Sequence, residues 1–360
     1  MPLTDVFTRS VSNSELQQRF AQLMAAEPEI RRRDIAHKLD VSEAALIDQQ
    51  CGVQSVRLND QFADMIQAMP DLGYIMTLTR NEYAVHERKG IYDNVRIGGP
   101  MGLVITEDRK IDLRIVLSRW AFGYAVREET ARGDRFSLQF FDHTGTAIQK
   151  IFLQPDSYEQ GYAELVNTFR ATEQGGEETY SDTVEVPEYA ADEQVDVARL
   201  TEEWLAMTDV HQFFGMLRRH QVSREQAFRL VGAPHAEAID PAGIVTLLEQ
   251  AAAKALSIMC FVGNRGNIQI HTGPVKTIKR MGPWLNVLDP EFNLHLLENG
   301  VAGAWLIRKP TEDGIVTSVE LYDHAGETIA QFFGQRQEGN PENAVWRELA
   351  ESLPGREAVA

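Results

Sequence analysis

Cysteine is scarce in this chain: Cys51 and Cys260 are the only two, most of the sequence apart. Their spacing excludes a disulfide framework and any CxxC or CxxCH site, and it makes a reducing cytoplasm the expected location. Long apolar runs are missing as well. No stretch approaches the roughly 18 consecutive apolar residues that span a bilayer, and the start, MPLTDVFTRSVSNSELQQRF, has no secretory apolar segment. The protein is therefore expected not to span a membrane. Positive charge is short too: 35 Lys and Arg face 53 Asp and Glu, a net charge of −18. Nucleic-acid binding needs a basic surface that neutralises phosphates, so that class is excluded, and the run Arg31–Arg33 reads as a solvated helix face. An anionic ligand would be repelled by the overall field, so a site for one must concentrate cations locally. No HExxH, GxGxxG or GxSxG occurs, which leaves zinc hydrolysis, dinucleotide binding by that fingerprint and serine hydrolysis without support.

What is present is repetition. LQFFDHTGTAIQKIFL (138–153) and VELYDHAGETIAQFFG (319–334) both read as a strand, an Asp-His-x-Gly turn and a second strand. Asp142 and Asp323 are 181 positions apart, and so are Gly145 and Gly326. The same offset aligns AVREET (125–130) with LIRKPT (306–311), KIDLRI (110–115) with EFNLHL (291–296), and DVSEAAL (40–46) with QVSREQA (221–227). TRNEYAVHERKG and VGNRGNIQIHTG correspond at a slightly shifted offset. A colinear series of this kind is the mark of a tandem duplication.

Each half opens with helical spacing and continues in short strands joined by Gly-, Asn- and Asp-rich turns. Ser223 reads as an N-cap and Gly232 as a helix stop. The expected fold class is α+β, built twice, each half a large antiparallel sheet with packed helices. The expected divisions are an N-terminal repeat at 1–172, an acidic linker at 173–196 and a C-terminal repeat at 197–360.

Function can be sought where matched positions differ. Arg224 stands opposite Glu43 and Lys309 opposite Glu128, both charge reversals, and Arg336 lies just beyond the second hairpin. Arginine offers paired donors to carboxylates and lysine a mobile point charge. In TEEWLAMTDVHQFFGMLRRH (201–220), helical spacing puts Trp204, Met207, Phe214 and Leu217 on one face, and His211 on that same face without a histidine counterpart in the first half. An imidazole, apolar walls and nearby cations suit a flat apolar ligand with carboxylates and an open metal position, which describes haem; a generic carboxylate ligand stays open beside it. His86 and His271 occupy matched strand ends, and His143 and His324 matched turns, so all four read as structural. His220 does not share the face of His211, and His295, aligned with Arg114, keeps both readings open.

Several long, colinear stretches carry a family resemblance: MTDVHQFFGMLRRHQVSREQAFRL, FVGNRG, PWLNVLDPEFNLHL, RKPTEDGIVTS and GQR, with RNEYAVHERKG and ETARGDRFSLQFFDHTG before them. Over nearly its whole length the chain resembles the bacterial cytoplasmic hemin transport and degradation family. The resemblance implies a paired-repeat fold with a haem cleft walled by both halves, haem as the ligand, and His211 as the axial iron ligand. It places a distal arginine at Arg114, in the stretch IDLR. Arg224, Lys309 and Arg336, with Gln331 and Phe333 beside them, are implied as propionate and lining contacts. Haem is then accepted after an inner-membrane importer delivers it and passed to a haem oxygenase or other acceptor; the alternative is haem-degrading ring opening, in which Arg114 would serve catalysis. Two departures matter. Many relatives carry tyrosine where this chain has Phe333, which weakens proton delivery from that position and favours carriage. The stretch GGPMGL, with Pro100 and Met101, lacks a histidine that some relatives place there, so a second haem is not expected by that route.

Overall fold

A computed structural model describes residues 3–7, 14–27, 30–175, 180–181, 183, 187–336 and 339–356. Part of the acidic stretch expected as a linker, residues 176–179, 182 and 184–186, lies outside them.

Among the described residues the strands form two antiparallel sheets of nine each. One takes, in order, Ser55–Leu58, Phe122–Thr130, Gly133–Phe141, Ala147–Ser157, Gly73–Arg80 and Ala84–Ile91 from the first half of the sequence, then Phe292–Leu297, Trp284–Leu288 and Ile278–Met281 from the second. The other repeats the scheme with the halves exchanged. It takes Ala236–Ile239, Gly303–Thr311, Gly314–Tyr322, Thr328–Gly334, Ser257–Gly263 and Asn267–Pro274, then Asp112–Val116, Met101–Ile105 and Val95–Gly98. The α+β duplication is thus present, and each sheet draws on both halves of the sequence.

The chain forms two compact units: Met1–Arg80, Glu87–Val184 and Asn264–Gln269 in the first, and Asn81–His86, Glu185–Gly263 and Ile270–Ala360 in the second. The first packs Met65, Leu72, Trp120, Phe140 and Tyr162 into its main core. The second packs Leu247, Phe332 and Trp346 into one core and Trp204, Phe213, Phe228 and Tyr322 into another.

Each unit carries the same helix pair. Arg32–Leu39 turns through Asp40, at φ 55°, into Glu43–Asp48; Gln212–His220 turns through Gln221, at φ 53°, into Arg224–Val231. Ser42 caps the first follower through Ala45 N–H, and Ser223 forms a capping box with Gln226. Gly232 ends the second follower, as the sequence predicts. The repeated Asp-His-x-Gly turns have a local cause. The Asp142 carboxylate accepts the N–H groups of Thr144 and Thr146, and Asp323 those of Ala325 and Glu327. Gly145 and Gly326 supply the left-handed residue at φ +77° and +76°. His143 and His324 sit in these turns.

The matched motifs RNEYA and GNRGN explain how a short segment of each half joins the other unit. Asn81 donates to the carbonyls of Gly263 and Ile329 and accepts from Tyr83 and Ala84 N–H. Asn264 donates to Arg80 and Ile148 and accepts from Gly266 and Asn267 N–H. One amide side chain in each case satisfies four backbone groups that a tight strand connection leaves without ladder partners. Replacing Asn81 or Asn264 by alanine should cost about 1–3 kcal/mol of stability, read as a lowered urea midpoint; an unchanged midpoint would show that these amides do not hold the connections.

Candidate functional site

The helix expected over 201–220 is broken. Val197–Leu205 ends, Ala206–His211 forms a turn, and Gln212–His220 begins a new helix. The break follows from Thr208 and Asp209, whose short polar side chains compete with helical hydrogen bonding. Asp209 Oδ1 accepts His211 N–H at 2.7 Å, and the Gln212 side chain accepts Thr208 N–H at 2.9 Å. Trp204, Met207 and Leu217 are buried as the apolar spacing requires, but Phe214 is 68% exposed. His211 leaves the apolar face altogether: its side chain is 91% exposed.

That exposed ring is nevertheless fixed. Nδ1 lies 2.6 Å from Asp209 Oδ1, which orients the imidazole and leaves Nε2 as the nitrogen available to a ligand. The His211 N–H, then its ring, and Arg336 further away hold the Asp209 carboxyl below its ordinary range, so the partner is a carboxylate. The turn is also anchored, since Glu312 N–H donates to Thr208 O at 2.9 Å. Asp313, the next residue, faces Arg336 at 3.9 Å, and the Arg336 Nε is buried with no partner among the described residues. His211 and Arg336 therefore belong to one neighbourhood of the second unit.

Arg224, Lys309 and Gln331 are brought together more tightly, and around a residue that the sequence comparison passed over. Glu320 is wholly buried on the strand Gly314–Tyr322. Its Oε1 accepts from Arg224 Nη2 at 2.7 Å, Lys309 Nζ at 3.1 Å and Ser318 Oγ at 2.9 Å. Its Oε2 accepts from Arg224 Nε at 2.6 Å, Tyr322 OH at 2.8 Å and Gln331 Nε2 at 2.9 Å. Burial raises the Glu320 carboxyl, but Arg224 and Lys309 outweigh it and hold the group below the carboxylate range. Burial pulls Lys309 down to about 8, against the opposing pull of Glu320. Arg224 and Lys309 also lie over the Phe213 ring, at 5.0 and 4.5 Å. The cationic gains read from the sequence are thus matched by an acidic gain: Glu320 stands opposite Gln139 in the duplication, and that alignment was the signal for it.

The first unit holds the same centre with its signs exchanged. Glu43, the counterpart of Arg224, accepts from Arg80 at 2.6 Å and from Lys150, the counterpart of Gln331. Burial opposes its ionisation, yet the two cations bring Glu43 down to about 2. Glu128, the counterpart of Lys309, pairs with Arg135 at 2.6 Å and Arg32 at 3.6 Å.

Phe333 is half-buried against Phe261, ring centroids 5.0 Å apart. His86 and His271 are both buried against Phe292, His271 stacked on it at 3.8 Å, which is a packing role. His295 Nδ1 meets Asn286 Oδ1 at 2.6 Å.

Arg114 lies in the first unit, on the strand Asp112–Val116, where Nη1 pairs with Asp112 and also donates to Leu113 O at 3.3 Å. Leu103 and Ile268 sit directly opposite it on its two flanking strands, and both are exposed, as is Met101 two residues from Leu103. Leu113 and Ile115, pointing the other way, are buried. Arg114 thus shares an exposed sheet face with these apolar side chains and with Arg96, which stands opposite Leu103. Sequence reasoning missed Leu103 and Ile268, because strand pairing brings them together from distant positions.

The donor set suits an iron porphyrin. It offers one oriented imidazole, guanidinium groups for carboxylates and apolar surface, and among the described residues no group of three His, Cys, Asp or Glu could hold a bare metal ion. Because Glu320 is ionised far more readily folded than free, its contribution to stability is full above its ordinary pKa of 4.5 and is lost as pH falls below that value. Acid denaturation of Glu320→Gln should therefore show a shallower loss of stability below about pH 4.5 than the parent chain; parallel acid profiles would contradict the assignment.

The model of the haemin-degrading HemS/ChuX domain matches residues 40–169 and again 221–353. The hemin transport protein HmuS of Yersinia pestis is 38% identical over 348 residues, 97% of this chain and 100% of that protein. Holo-PhuS, a heme-binding protein from Pseudomonas aeruginosa, superposes with a TM-score of 0.92 at 45% identity, covering 96% of this chain and 100% of that one. The heme degrading enzyme ChuS of Escherichia coli O157:H7 superposes at 0.87 with 37% identity, covering 98% and 99%. Matched twice along its length, once in each repeat, the chain belongs to the haemin-degrading HemS/ChuX-domain family.

Proposed function

We propose that this protein binds haem in the cytoplasm, accepting it after import and passing it to a downstream acceptor. The observation that carries the reading is His211, an imidazole exposed to solvent yet oriented through Nδ1 by a carboxylate, as metal-ligating histidines are. The name of the Yersinia pestis relative, a hemin transport protein, and that of holo-PhuS support it. Among the described residues no helix is long and apolar enough to cross a membrane. The implied partners are an inner-membrane haem importer on one side and a haem oxygenase or other acceptor on the other.

In this reading His211 Nε2 would coordinate the iron, with the ring aimed by Asp209. Arg224 and Arg336 meet the propionates, with Lys309 and Gln331 supporting from the carboxylate of Glu320. Phe333 would line the ligand, and Arg114, implied as a further contact by the family resemblance, would offer it a guanidinium. Haem supplies the iron chemistry when bound; the chain supplies position, charge and exclusion of water. Phe333 offers no hydroxyl, so no proton can be delivered from that position.

A second reading, haem degradation by oxidative ring opening with Arg114 as a catalytic residue, is favoured by ChuS, a heme degrading enzyme of nearly the same length and fold. A hemin titration should give a Soret shift that is lost in His211→Ala, and Asp209→Asn should weaken binding by about 10- to 100-fold; an identical spectrum in His211→Ala would overturn the ligand assignment. Reductant under air, with catalase present, separates the two readings. The carrier leaves the Soret band intact, whereas the enzyme yields an identified open tetrapyrrole.

A further inference from the structure

Arg224, Lys309 and Gln331 are unequal in what they can touch. The Lys309 side chain is only 4% exposed, and its ammonium is turned to Glu320. Gln331 Nε2 is likewise spent on Glu320. Gln331 is half-buried, and of the two cations only Arg224 reaches solvent appreciably, with 27% of its side chain exposed. Its guanidinium is gripped along one edge, Nε and Nη2 each on a different oxygen of Glu320, and the underside rests on Phe213 and Phe228. A fork held in this way cannot rotate, so its remaining nitrogen, Nη1, has one direction in which to donate. Glu320 is itself immobile, because six hydrogen bonds saturate both of its oxygens.

We propose that Glu320 is a positioning residue: it holds the Arg224 guanidinium so that Nη1 receives one carboxylate of the ligand, while Lys309, Gln331, Ser318 and Tyr322 act through Glu320 and do not touch the ligand. The inference rests on the haem reading and deepens it. It assigns selectivity for the free carboxylate of the porphyrin to a buried acid, which contributes by orientation and not by contact. Pre-ordering removes the cost of freezing a long side chain when the ligand arrives. It also keeps the cluster near a single net positive charge, so that two adjacent cations can be buried at all.

The test compares hemin with hemin dimethyl ester, which keeps the iron and the ring but has no ionised carboxylate. Each is titrated into the full chain and its variants by visible absorption. The parent chain should prefer hemin. Arg224→Lys keeps the charge but not the fork, and should lose most of that preference. Glu320→Gln should reduce the preference by about tenfold, the scale of one well-oriented charged hydrogen bond, while leaving ester affinity and the His211-dependent Soret band unchanged. Tyr322→Phe removes one of the six bonds on Glu320 and should move the preference in the same direction by less. That milder variant carries the test if Glu320→Gln does not fold. Equal loss for both ligands would mean a merely structural role and overturn the proposal. Full parental preference in both Glu320→Gln and Tyr322→Phe would overturn it too, leaving the haem reading intact. Absence of any His211-dependent Soret band with either ligand would overturn the haem reading and this inference together.

Discussion

A carboxylate with no access to water, Glu320, is the constraint on which the second unit is arranged. Burying an ionised acid costs several kcal/mol in principle unless every lone pair finds a donor, and here six donors from three strands and a helix converge on two oxygens. To bring them there, the helix Arg224–Val231 must start where it does, capped by Ser223, and the hairpin strands must keep their register. Arg224 and Lys309 in turn lie against Phe213 and Phe228, aromatic rings of the apolar core that contains Trp204. Charge, cap and core are therefore one arrangement.

The first unit solves the same problem with the signs reversed. Glu43 occupies the start of its second helix, where Arg224 stands in the other repeat, and Arg80 and Lys150 converge on it. A helix start over a sheet in this fold evidently tolerates a buried charge of either sign, provided that opposite charge comes from the strands below. Charge reversal between repeats is thus not by itself a sign of ligand binding. What distinguishes the second unit is the partly exposed side chain of Arg224, together with the exposed His211 and with Arg336.

Much of this was legible beforehand. The repeated turns could be read because Asp142 and Asp323 act on residues two and four positions away, and the helix starts because Ser42 and Ser223 cap N–H groups three positions on. His211 was singled out for a mistaken reason: it stands on no apolar stripe, because Thr208 and Asp209 break the helix before it. Glu320 was missed because a glutamate on a strand of alternating residues looks solvated until its partners are placed. The apolar neighbours of Arg114 were missed because Leu103 and Ile268 meet it only through strand pairing.

By itself, then, the sequence determined the duplication, the helix starts and stops, the turn chemistry and the family, all carried by residues near one another or by a repeated pattern. Tertiary structure decided which charges are spent and which remain free. Arg224 and Glu320 are 96 residues apart, and nothing local to either one specifies the other. It also decided that each sheet borrows three strands from the other half, since two nearly equal repeats offer the same pairing edges and only the packed chain selects between them.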